Sequence, residues 1–168
     1  MLTGLQAGAL TPLMVPAHAM ALLALGLMIG RQARRGATLV AFALGLIGGL
    51  AGIAAAVGET PANTVLLAAA AVAGLAAATG RAMPAVIGAP VALAIGAAVG
   101  LDSPPKAASI QTANATLVGT GLAAFMMVAL VVLISAQLRR GWPRIGVRVL
   151  GSWVAASAIL VLALRFAR

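Results

Sequence analysis

The stretch GALTPLMVPAHAMALLALGLMIG, Gly8 to Gly30, contains no charged residue, and RQARRG, Arg31 to Gly36, follows it directly. The first segment exceeds the about 20 apolar residues that a helix needs to cross the hydrocarbon core of a bilayer. The second places three arginines where that helix would leave the membrane, which is typical of a cytoplasmic loop. Together the two segments predict a membrane-spanning helix and the side on which it ends.

The composition extends this prediction to the whole chain. Of the 168 residues, 63% are hydrophobic and 8% are charged, whereas a soluble domain carries about 25% charged residues. The mean hydropathy is +1.15. Because so few charges cannot cover a surface in water, we predict an all-α polytopic transmembrane helix bundle that forms one domain, residues 1–168.

Short polar or proline-containing breaks divide the chain into six apolar segments. Each is close to the length that crosses a bilayer, roughly 17 to 25 residues. We therefore predict six transmembrane spans in contact with the lipid bilayer. Their approximate bounds are residues 5–30, 38–57, 62–80, 84–101, 111–136 and 145–164.

The basic residues predict the orientation of these spans. Eight of the eleven lie in or beside the loops on one side, and the other side holds three together with both acids, Glu59 and Asp102. Because cytoplasmic loops are enriched in Lys and Arg, we expect the N-terminus outside and the arginine-rich loops in the cytoplasm, as in a multi-pass protein of a cell inner membrane. Arg165 and Arg168 at an external C-terminus fit this rule poorly, so a five-span arrangement is an alternative. The eight residues are Arg31, Arg34, Arg35, Arg81, Arg139, Arg140, Arg144 and Arg148.

The residue content disfavours several classes of function. The basic residues lie mainly between the apolar segments and do not form a single patch in the sequence. We therefore do not predict nucleic-acid binding. The sequence has one histidine, two acids and no cysteine. It offers no paired carboxylates and no nucleophile with a base, so we predict neither an enzyme nor a resident cofactor. The opening residues Met1–Gly4 carry no basic group, and we expect no signal peptide there.

Glycines recur at a four-residue spacing in the second span. Gly45 and Gly49 form one pair, and Gly48 and Gly52 form another that overlaps it. Small residues at this spacing let helix backbones approach closely in lipid. The pairs indicate either packing inside the bundle or an interface between copies of the chain.

His18, the one histidine, stands two residues after Pro16 in the first span. Pro16 removes a backbone hydrogen bond and its ring crowds the preceding turn, so we expect the helix to kink or to begin here. On a continuous helix Met14 and His18 would share a face, with Thr11 about one turn earlier. Because ionisable groups inside a membrane are costly and usually functional, we name His18, Met14 and Thr11 as candidate ligands of a metal ion.

Other interpretations of His18 are also open. A neutral imidazole can hydrogen-bond to a neighbouring helix, with the prolines marking an entry segment at the membrane interface. A single axial histidine is chemically sufficient to hold a haem or another pigment. The seven methionines allow a soft-metal site, although methionine also fills gaps in apolar cores.

The sequence TPLMVPAHAMALLALGLMIG, residues 11–30, resembles the first-span motif of the HupE/UreJ family of nickel and cobalt permeases. That motif reads His-Pro-x4-Asp-His and continues into a Leu- and Met-rich run. The resemblance extends to GLIGGLAG (residues 45–52) and RAMPAVIGAPVALAIGAAVG (residues 81–100). It implies a six-span bundle with an external N-terminus and a role in metal transport, with nickel or another transition metal as the ion bound at His18, Met14 and Thr11. The residues at the motif positions are Thr11, Pro12, Ala17 and His18.

Two of the three metal ligands of that motif are replaced in this chain. Thr11 stands in place of the first histidine and Ala17 in place of the aspartate, so His18 alone is retained. Nickel and cobalt bind well to sites with several imidazole or carboxylate donors. Two hypotheses follow. One is a divergent permease for a metal ion or another small solute; the other is a non-transporting accessory subunit that packs against other membrane protein subunits.

Overall fold

The computed structural model describes residues 2–54, 61–105, 109–138 and 142–167, and these ranges contain seven α-helices and no strand. The helices are α1 (Leu2–Met14), α2 (Pro16–Gly30), α3 (Gly36–Ala54), α4 (Ala62–Thr79), α5 (Ala85–Leu101), α6 (Ile110–Gln137) and α7 (Pro143–Phe166).

All six predicted apolar segments are helical, and their described ends lie within a few residues of the prediction. Residues 55–57, at the end of the second segment, lie outside the described residues. The first segment is divided at Val15, where α1 and α2 are bent by 76° relative to each other. This bend confirms the kink that Pro16 predicts.

Four helices, α3, α4, α6 and α7, are long and apolar enough to cross a membrane. The number rises to five if the bent pair of α1 and α2 forms one span. The remaining helix, α5, is apolar but has 17 residues. The described ranges therefore form an all-helical membrane protein with four or five candidate crossings and one shorter apolar helix.

Helices α3 and α5 run in the same direction and approach each other through glycines. A Cβ atom on Gly45 would clash with the carbonyl oxygen of Leu93, and one on Gly49 would clash with that of Ala97. From the other side, a Cβ atom on Gly96 would clash with the backbone of α3. Because lipid supplies no hydrophobic drive between helices, such close van der Waals packing holds the pair together.

Helix α6 passes along both halves of the broken first segment in the same chain direction, although the axes of α1 and α2 differ by 76°. Near its start, Thr120 Oγ1 donates a hydrogen bond to the carbonyl oxygen of Gly8 in α1 at 3.1 Å. Near its end, Ser135 Oγ donates to the carbonyl oxygen of Gly26 in α2 at 3.3 Å. The glycines bring each backbone close enough for a hydroxyl group on α6 to reach it.

Helices α4 and α7 run antiparallel, and their contacts define one end of the bundle. There Arg148 Nε on α7 donates to the carbonyl oxygen of Ala78 at 2.9 Å, and Arg31 Nη2 donates to that of Gly80 at 2.7 Å. We call this the arginine end. We call the opposite end, where α4 begins and α5 finishes beside Asp102, the acidic end.

Helix α2 lies at the centre of the bundle. From Ala21 to Gly30 every residue except Leu23 is buried, and the helix packs mainly against α4 and α6. Because α2 has no hydrophilic face from Ala21 onward, other helices can surround it there without burying unpaired polar side chains. The core around it is completed by Phe42 of α3, Leu66 of α4, Ile95 of α5 and Val128 of α6.

The outer helices expose large apolar side chains. Within the apolar stretches of α3 and α7, 28% of the residues are buried, and in α6 the share is 33%. Leu44, Leu133 and Leu160 are each at least 60% exposed. An apolar surface of this extent marks contact with a membrane or a partner, and its continuity around three long helices fits the acyl chains of a bilayer.

The two overlapping glycine pairs of α3 differ in their surroundings. Gly45 and Gly49 are buried against α5, which assigns this pair to packing inside the bundle. Gly48 is exposed, and a Cβ atom there would meet nothing within 4 Å. An interface between two copies of the chain therefore stays a prediction only for the pair of Gly48 and Gly52.

Replacing Gly45 by alanine tests the packing of α3 on α5. We expect Gly45→Ala to lower the free energy of unfolding by about 1–3 kcal/mol, because the added methyl meets a backbone carbonyl that cannot move unless α5 shifts. Gly48→Ala adds the same atom to the same helix in open space, and we expect it to leave stability unchanged. Unfolding in mixed detergent micelles measures both variants, and equal destabilisation would contradict the observed packing.

Candidate functional site

Pro16 explains the break that precedes His18. A residue before proline is disfavoured in the α region, and Val15 is extended with φ −99° and ψ 107°. Proline has no N–H group and suits the first position of a helix, where such groups lack an intrahelical partner. The sequence therefore starts α2 at Pro16 and places His18 in its first turn.

His18 is one of three polar residues that converge at the acidic end. Its side chain is fully buried, and Nε2 lies 3.0 Å from Oδ2 of Asp102. Nδ2 of Asn63, in the first turn of α4, donates to the same oxygen at 3.3 Å. Three helices, α2, α4 and α5, thus supply one residue each. We call His18, Asn63 and Asp102 the carboxylate cluster.

Asp102 is held in place by the end of α5. Its backbone N–H donates to the carbonyl oxygen of Ala98 at 2.9 Å, and Pro104–Pro105 follow, where an α-helix cannot continue. The hydrogen bonds from His18 and Asn63 then fix the position of its carboxylate group.

The contact with Asp102 determines the role of each nitrogen of His18. An ionised carboxylate only accepts hydrogen bonds, so Nε2 carries the hydrogen and donates it. Nδ1 then presents a lone pair, and it is buried without a hydrogen-bond partner among the described residues. A buried polar atom without a partner costs about 1–3 kcal/mol, and such atoms are characteristic of sites that bind water or an ion.

A cavity of about 410 Å³ adjoins the carboxylate cluster. It lies between α1, α6 and the segment after α5, and the side chain of Asp102 is 31% exposed. This volume falls within the about 300–1,000 Å³ of small-ligand sites. A small cation in the cavity can therefore reach Asp102 directly, whereas His18 lies behind the carboxylate. The polar residues of the lining are Thr11, Asp102, Ser103 and Thr116.

The structure places the three sequence-predicted ligands in two locations. Thr11 and Met14 line the cavity beside Asp102, where Thr11 Oγ1 donates to the carbonyl oxygen of Ala7 at 3.1 Å and Met14 is 72% exposed. His18 is buried in the core. The prediction that Met14 and His18 share a helical face is wrong, because the helix is interrupted at the residue between Met14 and Pro16. Their role as metal ligands stays a prediction.

Sequence reasoning missed Asp102 and Asn63 as neighbours of His18. Asp102 was assigned to a loop, although it lies on the same predicted side of the membrane as the outer half of the first span. A lone intramembrane histidine needs a partner, and only two acids were available to provide a charged one. In the part of the chain that the structure describes, no group of three or more His, Cys, Asp and Glu residues occurs.

Comparisons of the chain with protein-family profiles, with curated proteins and with solved structures find no match. The site is accordingly interpreted from its own geometry.

A double-mutant cycle tests the contact between His18 and Asp102. We expect His18→Ala and Asp102→Ala together to destabilise the protein by less than the sum of the single effects, with a coupling of about 0.5–3 kcal/mol, because the two side chains share a buried hydrogen bond. The free energy of unfolding in mixed micelles measures each term. His18→Ala combined with Ser157→Ala, an exposed change on α7, should be additive. A coupling of zero for the first pair would show that the hydrogen bond is absent in the membrane.

Proposed function

We propose that this chain is a multi-pass membrane permease of the HupE/UreJ type that carries a small cation through the carboxylate cluster and its cavity. One observation carries the proposal: Asp102 orients His18 through Nε2 and leaves the Nδ1 lone pair buried without a partner among the described residues. Metal-binding histidines commonly donate their other ring N–H to a carboxylate in this way. The arrangement thus prepares an imidazole to bind a cation.

The directions of the helices support six crossings. In a chain that crosses six times, the second and fourth spans run parallel, as do the first and fifth, while the third and sixth run antiparallel. In the structure α3 and α5 run in the same direction, and so do the α1–α2 segment and α6. Helices α4 and α7 run in opposite directions. At 1.5 Å per residue α5 is about 25 Å long, close to the about 30 Å of the hydrocarbon core.

The charge distribution supports the orientation of this arrangement. Six of the seven described arginines, Arg31, Arg34, Arg35, Arg81, Arg144 and Arg148, belong to the arginine end, whereas Asp102 and Arg165, which donates to Thr64 in the first turn of α4, belong to the acidic end. By the positive-inside rule the arginine end faces the cytoplasm. The carboxylate cluster then opens toward the outer side of a cell inner membrane, where a substrate enters.

The broken first span supports transport in particular. Transporter sites commonly use a discontinuous helix, whose freed backbone groups lie beside the substrate. Here the break at Val15 lines the cavity next to Asp102, and α2 starts one residue later. Because His18 is fully buried, a cation reaches its Nδ1 only after a change of conformation. We propose the break at Val15 as the hinge for that change.

The donor set supports a transition-metal substrate such as nickel or cobalt. The first-span motif lacks its aspartate at Ala17, but Asp102 brings a carboxylate to His18 from another helix. At the cavity the Asp102 carboxylate, the Thr11 hydroxyl and the Met14 thioether form one set of donors, and the His18 imidazole behind them provides a further donor once a cation reaches Nδ1.

A second function is favoured by the burial of His18. A subunit that kept the scaffold without transport needs a histidine that is packed and hydrogen-bonded, and His18 is both. In this alternative the chain is an accessory subunit of a larger inner-membrane complex, and the carboxylate cluster only joins three helices.

Uptake into proteoliposomes tests the permease. We expect His18→Ala and Asp102→Asn each to reduce nickel or cobalt uptake about 10–100-fold, because one removes the imidazole donor and the other weakens its orientation. Ser157→Ala, on the exposed face of α7, should transport as the unmodified protein does. Unchanged uptake in the His18→Ala and Asp102→Asn variants, with normal insertion, would exclude the cluster as the site.

Purification in a gentle detergent separates the two functions. For a permease we expect recovery alone or as a homo-oligomer, with bound nickel, cobalt or copper by elemental analysis that His18→Ala removes. Recovery in a fixed ratio with other membrane proteins, free of metal, would instead support the accessory subunit. Mass spectrometry of the same sample identifies any partner.

A further inference from the structure

Two guanidinium groups converge on the C-terminal end of α4. Arg31 Nη2 donates to the carbonyl oxygen of Gly80 at 2.7 Å, and Arg148 Nε donates to that of Ala78 at 2.9 Å. Gly80 adopts a left-handed φ of 73°, and the position of a Cβ atom there lies 3.4 Å from both Arg148 Nε and Arg31 Nη2. Two positive charges from different helices are thus held close together.

Arg148 lies in a positively charged part of the protein. Arg81 follows α4 directly and Arg144 lies in the first turn of α7, so further positive charge borders the same region. The end of α4 contributes about half of a negative elementary charge. Asp102, the one acid within the described ranges, lies at the opposite end of the bundle. Arg148 therefore has no acidic side chain as a partner among the described residues, and its charge is available to an anion from outside the protein.

A cleft between α4 and α7 adjoins this charge. Its volume is about 280 Å³, and it is lined by Ala78 of α4 and by Ile145, Arg148, Val149 and Ser152 of α7. Arg148 and Ser152 provide polar groups, while the other three residues provide an apolar floor. The cleft therefore combines a cationic rim with an apolar surface, which matches a molecule that has an anionic head and a hydrocarbon body.

The position of the cleft favours a lipid over a soluble anion. Ile145 and Val149 are 58% and 42% exposed, and Trp153 on the same helix is 69% exposed, so this part of α7 faces the surrounding acyl chains. Basic pockets between transmembrane helices on the cytoplasmic side bind anionic lipid head groups. We propose that the cleft is a binding site for one anionic phospholipid, whose phosphate contacts Arg148 while its glycerol and acyl chain lie on Ile145 and Val149.

Lipid binding to the purified protein tests this site, independently of any transport activity. The protein in detergent is mixed with phosphatidylglycerol, phosphatidylcholine or inorganic phosphate, and native mass spectrometry counts the bound molecules. We expect phosphatidylglycerol to bind, and Arg148→Gln to weaken its binding about fivefold, the effect of losing one basic residue at a lipid surface. Arg165→Gln removes the same charge from the other end of α7 and should leave binding unchanged.

Filling the cleft provides a test that leaves every charge in place. Ile145→Trp puts bulk on the apolar floor, and we expect it to reduce phosphatidylglycerol binding, even if Arg148→Gln fails to fold. Equal binding of phosphatidylglycerol and phosphatidylcholine would overturn the proposal. Equal losses in the Arg148→Gln and Arg165→Gln variants would also overturn it, as would displacement of the lipid by inorganic phosphate alone.

Discussion

Close approach of helix backbones at glycine is the constraint on which the rest of this bundle depends. In lipid the hydrophobic effect does not drive helices together, because the acyl chains are as apolar as the helices. Van der Waals packing and interhelical hydrogen bonds hold the helices together instead. Each main helix pair contains such a contact: Gly8 with α6, Gly96 with α3, and Gly74 with Gly151 of α7. The hydroxyl groups of Thr120 and Ser135 reach facing carbonyl oxygens only because no side chain lies between them.

The carboxylate cluster shows how this packing creates chemistry from few polar residues. His18 and Asn63 lie on different helices and far from Asp102 in the sequence. Both nevertheless hydrogen-bond to the same oxygen of Asp102, Oδ2. Each alone would be a costly polar group at the edge of an apolar core. Together they satisfy most of their hydrogen bonds and leave Nδ1 of His18 buried without a partner among the described residues.

Much of the fold follows from local sequence, and the site does not. The helix bounds are predictable because each apolar segment ends at Gly, Pro or Arg residues, and the break at Val15 is predictable because Pro16 restricts the residue before it. The pairing of His18 with Asp102 depends on which helices are neighbours, which periodicity does not encode. The expectation that Met14 and His18 share a face relied on an unbroken helix, which the same proline prevents.

The way α4 ends has a consequence for biosynthesis. Its terminal carbonyl oxygens are bonded by Arg31, which is made before α4, and by Arg148, which belongs to the last helix. At about 5–20 residues per second, translation from Thr79 to Phe166 takes on the order of ten seconds. During that interval α4 lacks the helix against which Gly74 packs. The newly made chain therefore passes through a state in which α4 is only partly packed, until α7 has been made and can lie against it.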